Sequence, residues 1–150
     1  MSERPYRRHD PAFRWDAVEE RAYKQEPGVP YRDVTRQVLF DDPALLCQLR
    51  YFEVAPGGYT TLERHAHVHA VVIQRGRGRV LVGGEIFDVA PFDLVHIPPH
   101  TWHQFRAADG APLGFLCVVN HDRDRPELPD EAALAALRAD PAVGAFIRTE

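Results

Sequence analysis

Pro56-Gly57-Gly58-Tyr59-Thr60-Thr61-Leu62-Glu63-Arg64-His65-Ala66-His67-Val68-His69 is the stretch on which the reading of this chain turns. Glu63, His65, His67 and His69 occupy every second position, and on a strand residues i and i+2 face the same way, so these donors can be presented to one point. Imidazole is the commonest protein ligand for transition metals. Further on, Ile97-Pro98-Pro99-His100-Thr101-Trp102-His103-Gln104-Phe105 brings a second histidine group, with His103 able to approach from another strand. Six of the eight histidines lie between Gly57 and His103. A lone histidine is more often a surface or hydrogen-bonded residue, but four candidate donors at strand spacing in an apolar neighbourhood point to a metal.

Around this stretch the chain reads as many short strands punctuated by glycine and proline. They are expected at about 18–23, 34–40, 45–54 (stopped by Pro56-Gly57-Gly58), 60–65, 69–75, 78–82, 85–89, 94–97, 103–106 and 113–119. Gly76-Arg77-Gly78 and Gly83-Gly84 read as hairpin turns. So many closely spaced strands imply an all-β antiparallel sandwich or barrel. After Asn120 the charged run His121-Asp122-Arg123-Asp124-Arg125-Pro126 leaves the sheet. Asp130 can cap a short helix with Leu134 and Leu137 on one face, and Asp140-Pro141 can start another carrying Val143, Phe146 and Ile147, stripes expected to pack on the barrel's outside or at a subunit contact. The expected organisation is one domain over 1–150, with a barrel core at about 34–120 and a helical tail at about 128–150.

With these residues in view, the sequence resembles the cupin superfamily over roughly residues 45 to 120. Cupins are small double-stranded β-helix (jelly-roll) barrels that usually bind a metal. Their first motif reads G-x5-HxH-x3,4-E-x6-G. Gly76 takes the place of its last glycine, His69 stands seven positions earlier where the family has its acid, and the HxH pair falls on Glu63 and His65. The resemblance therefore implies a metal site of Glu63, His65, His69 and His103 in which an acid and a histidine have exchanged places. His67 would then lie on a turn at the rim. A rival register makes His65 and His67 the pair and His69 the third donor, so His67 stands as the alternative ligand. The second motif departs at Phe92, where the family has the glycine of a turn, so that turn takes another shape or carries strain. Eleven residues later His103 falls where the family's histidine falls.

His100 and Trp102 lie in the preceding loop, where they either close over the pocket or stand as exposed loop residues. His96 has the parity opposite to Val95 and Ile97 and faces outward if those two face the core. Gln48, Arg50 and Tyr51 lie on a strand that can line the pocket, with the inward face undecided. Cys47 and Cys117 read as buried free thiols, since neither has a partner at redox or zinc spacing.

At 150 residues, 45% hydrophobic and 27% charged, the composition is that of a soluble globular domain. A net charge of -4 and no long basic block argue against nucleic acid as a partner. No apolar run approaches the roughly 20 residues that span a bilayer, and Met1-Ser2-Glu3-Arg4-Pro5 lacks the apolar core of a signal peptide, so the expected location is the cytoplasm. The arginine-rich start, Arg4 to Arg8, reads as a frayed terminus.

Three protein donors plus a carboxylate leave open positions on an octahedral ion, which suits Mn, Fe, Ni or Co and tolerates Zn. The leading expectation is a metal-dependent small-molecule oxidoreductase of dioxygenase type. The alternatives are a non-catalytic metal-binding or sensing cupin and a sugar or keto-acid isomerase, and fold analogy cannot choose among them. The expected partners are a small-molecule substrate or ligand and a second copy of the chain, the homodimer being argued from the apolar helical stripes and from the frequency with which cupins pair their barrels.

Overall fold

The computed structural model describes residues 5–150, so Met1 to Arg4, including the first residue of the arginine-rich start, lie outside the described residues. Nine strands follow in order: β1 (Glu20–Ala22), β2 (Arg32–Phe40), β3 (Cys47–Tyr59), β4 (His69–Gly76), β5 (Gly78–Val82), β6 (Glu85–Val89), β7 (Leu94–Ile97), β8 (His103–Ala107) and β9 (Leu113–Asn120). Two helices close the chain, α1 (Glu131–Arg138) and α2 (Pro141–Phe146). All pairings are antiparallel, in the order β6-β5-β8-β3-β9-β4-β7, with β2 also on β3 and β1 on β2. The result is the expected all-β cupin architecture, a curled antiparallel sheet with two short helices at its end.

β3 is the strand that joins the parts. Its first half, Cys47 to Val54, pairs with β9. Its last residue, Tyr59, pairs with Arg106 of β8, which carries β5 and β6. The strand therefore continues through Pro56-Gly57-Gly58 rather than stopping there, because Gly57 takes a left-handed φ of 75° and lets the chain bend without ending its pairing. Alternation sets what faces inward. Val71 and Ile73 of β4, Phe115 and Cys117 of β9, and Val95 and Ile97 of β7 are buried in one apolar cluster.

Two other expectations are corrected. No strand spans 60–65: Thr60 to Leu62 are irregular, Glu63 and Arg64 form isolated bridges with His103 and Glu127, and the chain bends at Ala66 and His67. Strand parity is thus not what gathers Glu63, His65, His67 and His69. Gly76-Arg77-Gly78 is not a hairpin, since β4 pairs with β7 and β9 while β5 pairs with β6 and β8; it carries the chain between the two parts of the sheet. Gly83-Gly84, by contrast, does join the β5–β6 hairpin. The apolar stripes of the tail pack on the barrel within the chain, the first of the two places expected for them. Val143, Phe146 and Ile147 are buried against Leu62 and Leu81, with Leu134, Leu137 and Trp102 packed alongside. Burying Phe146 and Ile147 contributes roughly 1.5–3 kcal/mol each, and Gln104 secures the end of the tail by donating to the Arg148 carbonyl and accepting from its amide. The first strand shortens to Glu20–Ala22. Both helix caps stand where expected, on Asp130 and Asp140. No helix among the described residues is long and apolar enough to cross a membrane.

Two turn residues have opposite fits to their backbone. Gly76 has φ +79°, and a Cβ there would come within 1.6 Å of the Pro112 carbonyl oxygen. Phe92 has φ +74° with its ring 83% exposed, so the departure from the family's glycine is accommodated as strain. Gly76→Ala should therefore destabilise the fold by on the order of 3 kcal/mol or more. Phe92→Gly should change stability by about 0 to 1 kcal/mol in the favourable direction, relief of left-handed strain slightly exceeding the entropic cost of glycine. Urea denaturation midpoints of the two variants check both signs.

Candidate functional site

The second histidine stretch delivers the first contact. His103 opens β8, and its backbone pairs with Glu63 in both directions, the Glu63 amide donating to the His103 carbonyl at 3.3 Å and the His103 amide to the Glu63 carbonyl at 3.1 Å. That bridge sets the two side chains next to each other. The His100 amide donates to the His65 carbonyl at 2.7 Å and so ties the bend that carries the remaining histidines to the same loop. His69 arrives separately, as the first residue of β4, opposite Ile97 of β7.

Every one of the four rings is held through Nδ1. His65 Nδ1 lies 2.7 Å from the His67 carbonyl and His103 Nδ1 lies 2.9 Å from the Thr101 carbonyl. Since a carbonyl only accepts, each of these rings carries its proton on Nδ1 and leaves Nε2 as a lone-pair donor. His67 Nδ1 meets the Asp124 carboxylate at 2.8 Å, and His69 Nδ1 meets the Cys117 thiol at 3.2 Å. The Nε2 atoms of His65 and His69 are buried without a hydrogen-bond partner. Buried polar atoms left in this way are uncommon and mark a place where something else binds. This pattern of one fixed and one free nitrogen is what a metal-ligating histidine requires.

The donor atoms fall into two groups with His65 in common. Ligand atoms of Glu63, His65 and His103 lie within 4.8 Å of one another, and so do those of His65, His67 and His69. Ring separations distinguish members of these groups. Imidazoles bound to one ion at about 2.1 Å and set at right angles would have centroids about 4.5 Å apart by that geometry. The His65–His69, His65–His103 and His69–His103 separations are 4.5, 4.9 and 5.8 Å. His65 and His67 instead stack face to face at 3.7 Å, closer than two rings set at right angles on one ion would stand. Glu63 is engaged on both oxygens, accepting from Tyr23 Oη at 3.2 Å and from Lys24 Nζ at 2.5 Å.

Burial favours the neutral form of His65, His69 and His103. It pushes His65 down to about 4, with His103 nearby adding to the effect. His69 is driven far below the ordinary imidazole range by burial and then by His103 and Arg50. His103 is also lowered by burial, with Glu63 acting in the opposite direction. Neutral imidazole is the form that binds metal, so these rings need not lose a proton before coordination at neutral pH.

The cavity in front of the donors has a volume of about 470 Å³. Its apolar wall comes from Phe52, Phe105 and Phe115, and its polar wall includes Tyr23, Lys24 and Arg50. Arg50 thus points inward, whereas Tyr51, its neighbour on β3, faces the other side and packs on Phe13 and Trp15. Gln48, two residues before Arg50 on the same strand, accepts from Arg123, which lines the cavity. Cys117 is a buried free thiol facing the cavity, and burial pushes its pKa up; Cys47 is only half-buried. His96 is exposed between buried Val95 and Ile97, as its parity requires. His100 and Trp102 do not close over the pocket: His100 is exposed, and Trp102 packs on the helical tail with Arg64 stacked 4.4 Å from its ring.

Tyr23, Lys24 and Asp124 were not singled out by sequence reasoning. The Asp124 carboxylate accepts from the amides of Ala66 and His67 as well as the His67 ring. Those donors, the Ala66 amide first, hold it well below the usual carboxylate range. The charged connector after β9 therefore pins the bend on which His67 sits, while β1 and its continuation bring Tyr23 and Lys24 to Glu63. A carboxylate 57 positions from its histidine partner leaves no local pattern to find.

Residues 50–119 match the Cupin domain family. The 1-methylthio-D-xylulose 5-phosphate methylsulfurylase of Rhodospirillum rubrum is 56% identical over 145 residues, which is 97% of this chain and 93% of that protein. The crystal structure of a cupin 2 conserved barrel domain protein from Rhodopseudomonas palustris superposes with a TM-score of 0.91 at 60% identity, covering 96% of this chain and 99% of that one. A 5-nitrosalicylic acid 1,2-dioxygenase from a Bradyrhizobium species is 34% identical over 80 residues, 53% of this chain and 37% of that protein.

The lowered His65 pKa has a measurable consequence for the metal-free chain. Between pH 6.5 and about 4 the unfolded chain takes up a proton that folded His65 refuses, so stability falls as pH falls through that window and is fully present above it. Thermal melting against pH should show this loss, and His65→Gln should show a shallower slope over the same interval. Equal slopes in the two proteins would mean that His65 titrates alike in both states.

Proposed function

The chain belongs to the cupin superfamily, and from that premise we propose that it is a metal-dependent enzyme acting on a phosphorylated ketose that carries a thioether. The observation that carries this reading is the 56% identity along nearly the whole length of the Rhodospirillum rubrum methylsulfurylase. The donor set supports it: buried, neutral imidazoles with unpartnered Nε2 atoms face a cavity large enough for a sugar phosphate. Glu63, His65, His69 and His103 would hold one divalent ion (Mn, Fe, Ni, Co or Zn), with His67 the alternative to Glu63. The ring separations favour Glu63, because His67 stacks on His65 instead of converging with it.

A divalent ion held there supplies a Lewis acid able to polarise a ketone oxygen. Around it, Lys24 pairs with Glu63 and fixes the orientation of its carboxylate. Tyr23 Oη keeps its proton at neutral pH, its pKa raised well above the ordinary value by burial and by Glu63. Cys117 Sγ also stays protonated, for the same reason of burial. These two groups face the cavity and can hold a proton beside a bound ligand. Phe52, Phe105 and Phe115 exclude water from the opposite wall.

A dioxygenase is the second reading, motivated by the partial identity with the Bradyrhizobium enzyme, which covers 53% of this chain. Incubating the metal-loaded protein with 1-methylthio-D-xylulose 5-phosphate while following both oxygen and the methylthio group separates the possibilities. Loss of the methylthio group from the sugar without oxygen uptake is the expected outcome, either to water, releasing methanethiol and leaving a hydroxyl at C1, or to an added thiol, forming a mixed disulfide while the C–S electron pair takes up a proton at C1. Oxygen consumption would favour the dioxygenase, an isomeric sugar that keeps its thioether would favour an isomerase, and retained metal with no turnover would favour a binding module. The cytoplasm and a homodimer remain our proposals for location and assembly; light scattering at micromolar concentration should give twice the chain mass.

The ligand set has its own test. Glu63→Gln should lower metal occupancy and should affect a hard ion such as Mn more than Zn, which accepts nitrogen donors readily. His67→Ala should leave occupancy nearly unchanged. Metal analysis after identical purification compares the two, and a larger loss in the His67 variant would replace Glu63 by His67 in the set.

A further inference from the structure

Guanidinium groups are rarely gathered in a protein interior without carboxylates to meet them. Arg36 of β2 and Arg50 of β3 lie on paired strands, Arg36 opposite Phe52 and Val38 opposite Arg50, so the two arginines are diagonal neighbours on one face. Arg123 joins them from the connector after β9. Its Nη1 donates to Gln48 Oε1 at 3.2 Å and to the carbonyls of Asn120 and His121 at 3.1 and 3.2 Å. All three arginines line the cavity that holds the imidazoles.

None of the three is neutralised. Among the described residues no carboxylate forms an ion pair with Arg36, Arg50 or Arg123. The nearby acid, Asp41, is directed to His121 at 3.3 Å. Arg50 is only 7% exposed. Its side-chain contacts are the Cys117 sulfur at 3.6 Å and the Phe52 ring at 4.9 Å. The Nε atoms of Arg36 and Arg50 are both buried without a hydrogen-bond partner. Burial first and the neighbouring guanidinium of Arg50 second hold Arg36 and Arg123 below their ordinary value. The other two cations on the cavity wall differ, Lys24 being paired with Glu63 and Arg125 with Glu26. Two guanidinium groups without a carboxylate partner, each with a buried and unused Nε donor, are unfavourable unless an anion completes them, and the exposed Arg123 adds a third unpaired charge to the same cavity.

We propose that Arg36, Arg50 and Arg123 form the binding site for a phosphate monoester, with Cys117 between this site and the imidazoles. Cys117 Sγ touches both groups, Arg50 at 3.6 Å and His69 at 3.2 Å, so one ligand of sugar length can reach from the arginines to the metal donors. A phosphate monoester carries about -1.5 to -2 charge at neutral pH and three acceptor oxygens, which match three guanidinium forks better than a single carboxylate does. That the ester belongs to a sugar rests on the reading under Proposed function; the anion site itself rests on the arginines.

Calorimetric titration of the metal-loaded protein tests it with D-xylulose 5-phosphate, D-xylulose, inorganic phosphate and salicylate as probes. The ester and inorganic phosphate should bind, and D-xylulose should bind about tenfold or more weaker than its phosphate. Arg36→Gln and Arg123→Gln, chosen because these side chains are less buried than Arg50, should each weaken both phosphorylated probes by about tenfold or more while metal content and circular dichroism stay unchanged. Arg125→Gln, which removes a cation already paired with Glu26, should bind as the wild type does. Unchanged phosphate affinity in the Arg36 and Arg123 variants, or an equal loss in the Arg125 variant, would overturn the site. Salicylate binding tighter than the ester and lost in the same variants would replace phosphate by carboxylate as its ligand. Arginine-dependent phosphate binding without turnover of 1-methylthio-D-xylulose 5-phosphate would keep the site and reject the substrate reading. Turnover with KM unaltered in both variants would do the reverse.

Discussion

Each imidazole of the cavity has one nitrogen that the protein satisfies and one that it does not, and this division organises the molecule. A backbone carbonyl fixes His65 and another fixes His103, a carboxylate fixes His67, and a thiol fixes His69. The nitrogens left over gather on one side, and those of His65 and His69 are buried without partners. Leaving them so costs stability, since a buried acceptor forfeits its hydrogen bonds with water. The fold tolerates that cost because the strands around the donors pack a continuous apolar cluster of valine, isoleucine and phenylalanine.

The same constraint explains which parts of the chain lie close together. Glu63 and His103 are forty positions apart and are joined by a reciprocal pair of backbone hydrogen bonds, a short bridge rather than a long ladder. The bend at Ala66 and His67 frees the chain from strand alternation at that point. Without it, consecutive donors would project at fixed spacing along one edge; with it, His65 stacks on His67 at 3.7 Å and stands 4.5 Å from His69. Asp124 then holds the bend through two amides and a ring, which gives the charged connector after β9 a structural task beyond leaving the sheet.

Charge is divided across the cavity. Near the imidazoles, Lys24 and Glu63 compensate each other, and the protonated Tyr23 hydroxyl adds a hydrogen bond without adding charge. Around Arg50 there is no such compensation. Two strands and a connector bring three guanidinium groups to one cavity, with Arg50 buried over the Phe52 ring and against the Cys117 thiol, where the local dielectric is low, and Arg123 exposed to solvent. A cavity of this kind is organised for a ligand with unlike ends, one seeking a metal ion and the other seeking positive charge.

The sequence by itself determined the fold class, the spacing of its strands from β4 onward, both helix caps and the residues that could serve as donors, because these depend on local alternation, glycine and proline, and short-range capping. The offset between Gly76, Phe92 and His103 was equally local, and the left-handed φ at Phe92 is the strain that a missing glycine implies. Only the tertiary structure decided that Arg50 faces in and Tyr51 out, that Gly76 must pass against the Pro112 carbonyl, and that the tail packs on Leu62 and Leu81 within the chain. It also decided that Lys24, Arg36, Asp124 and Cys117 share a neighbourhood with the histidines. Those placements depend on strand pairing and chain crossing over dozens of residues, and the inward face of a strand has no meaning until the neighbouring strands have closed around it.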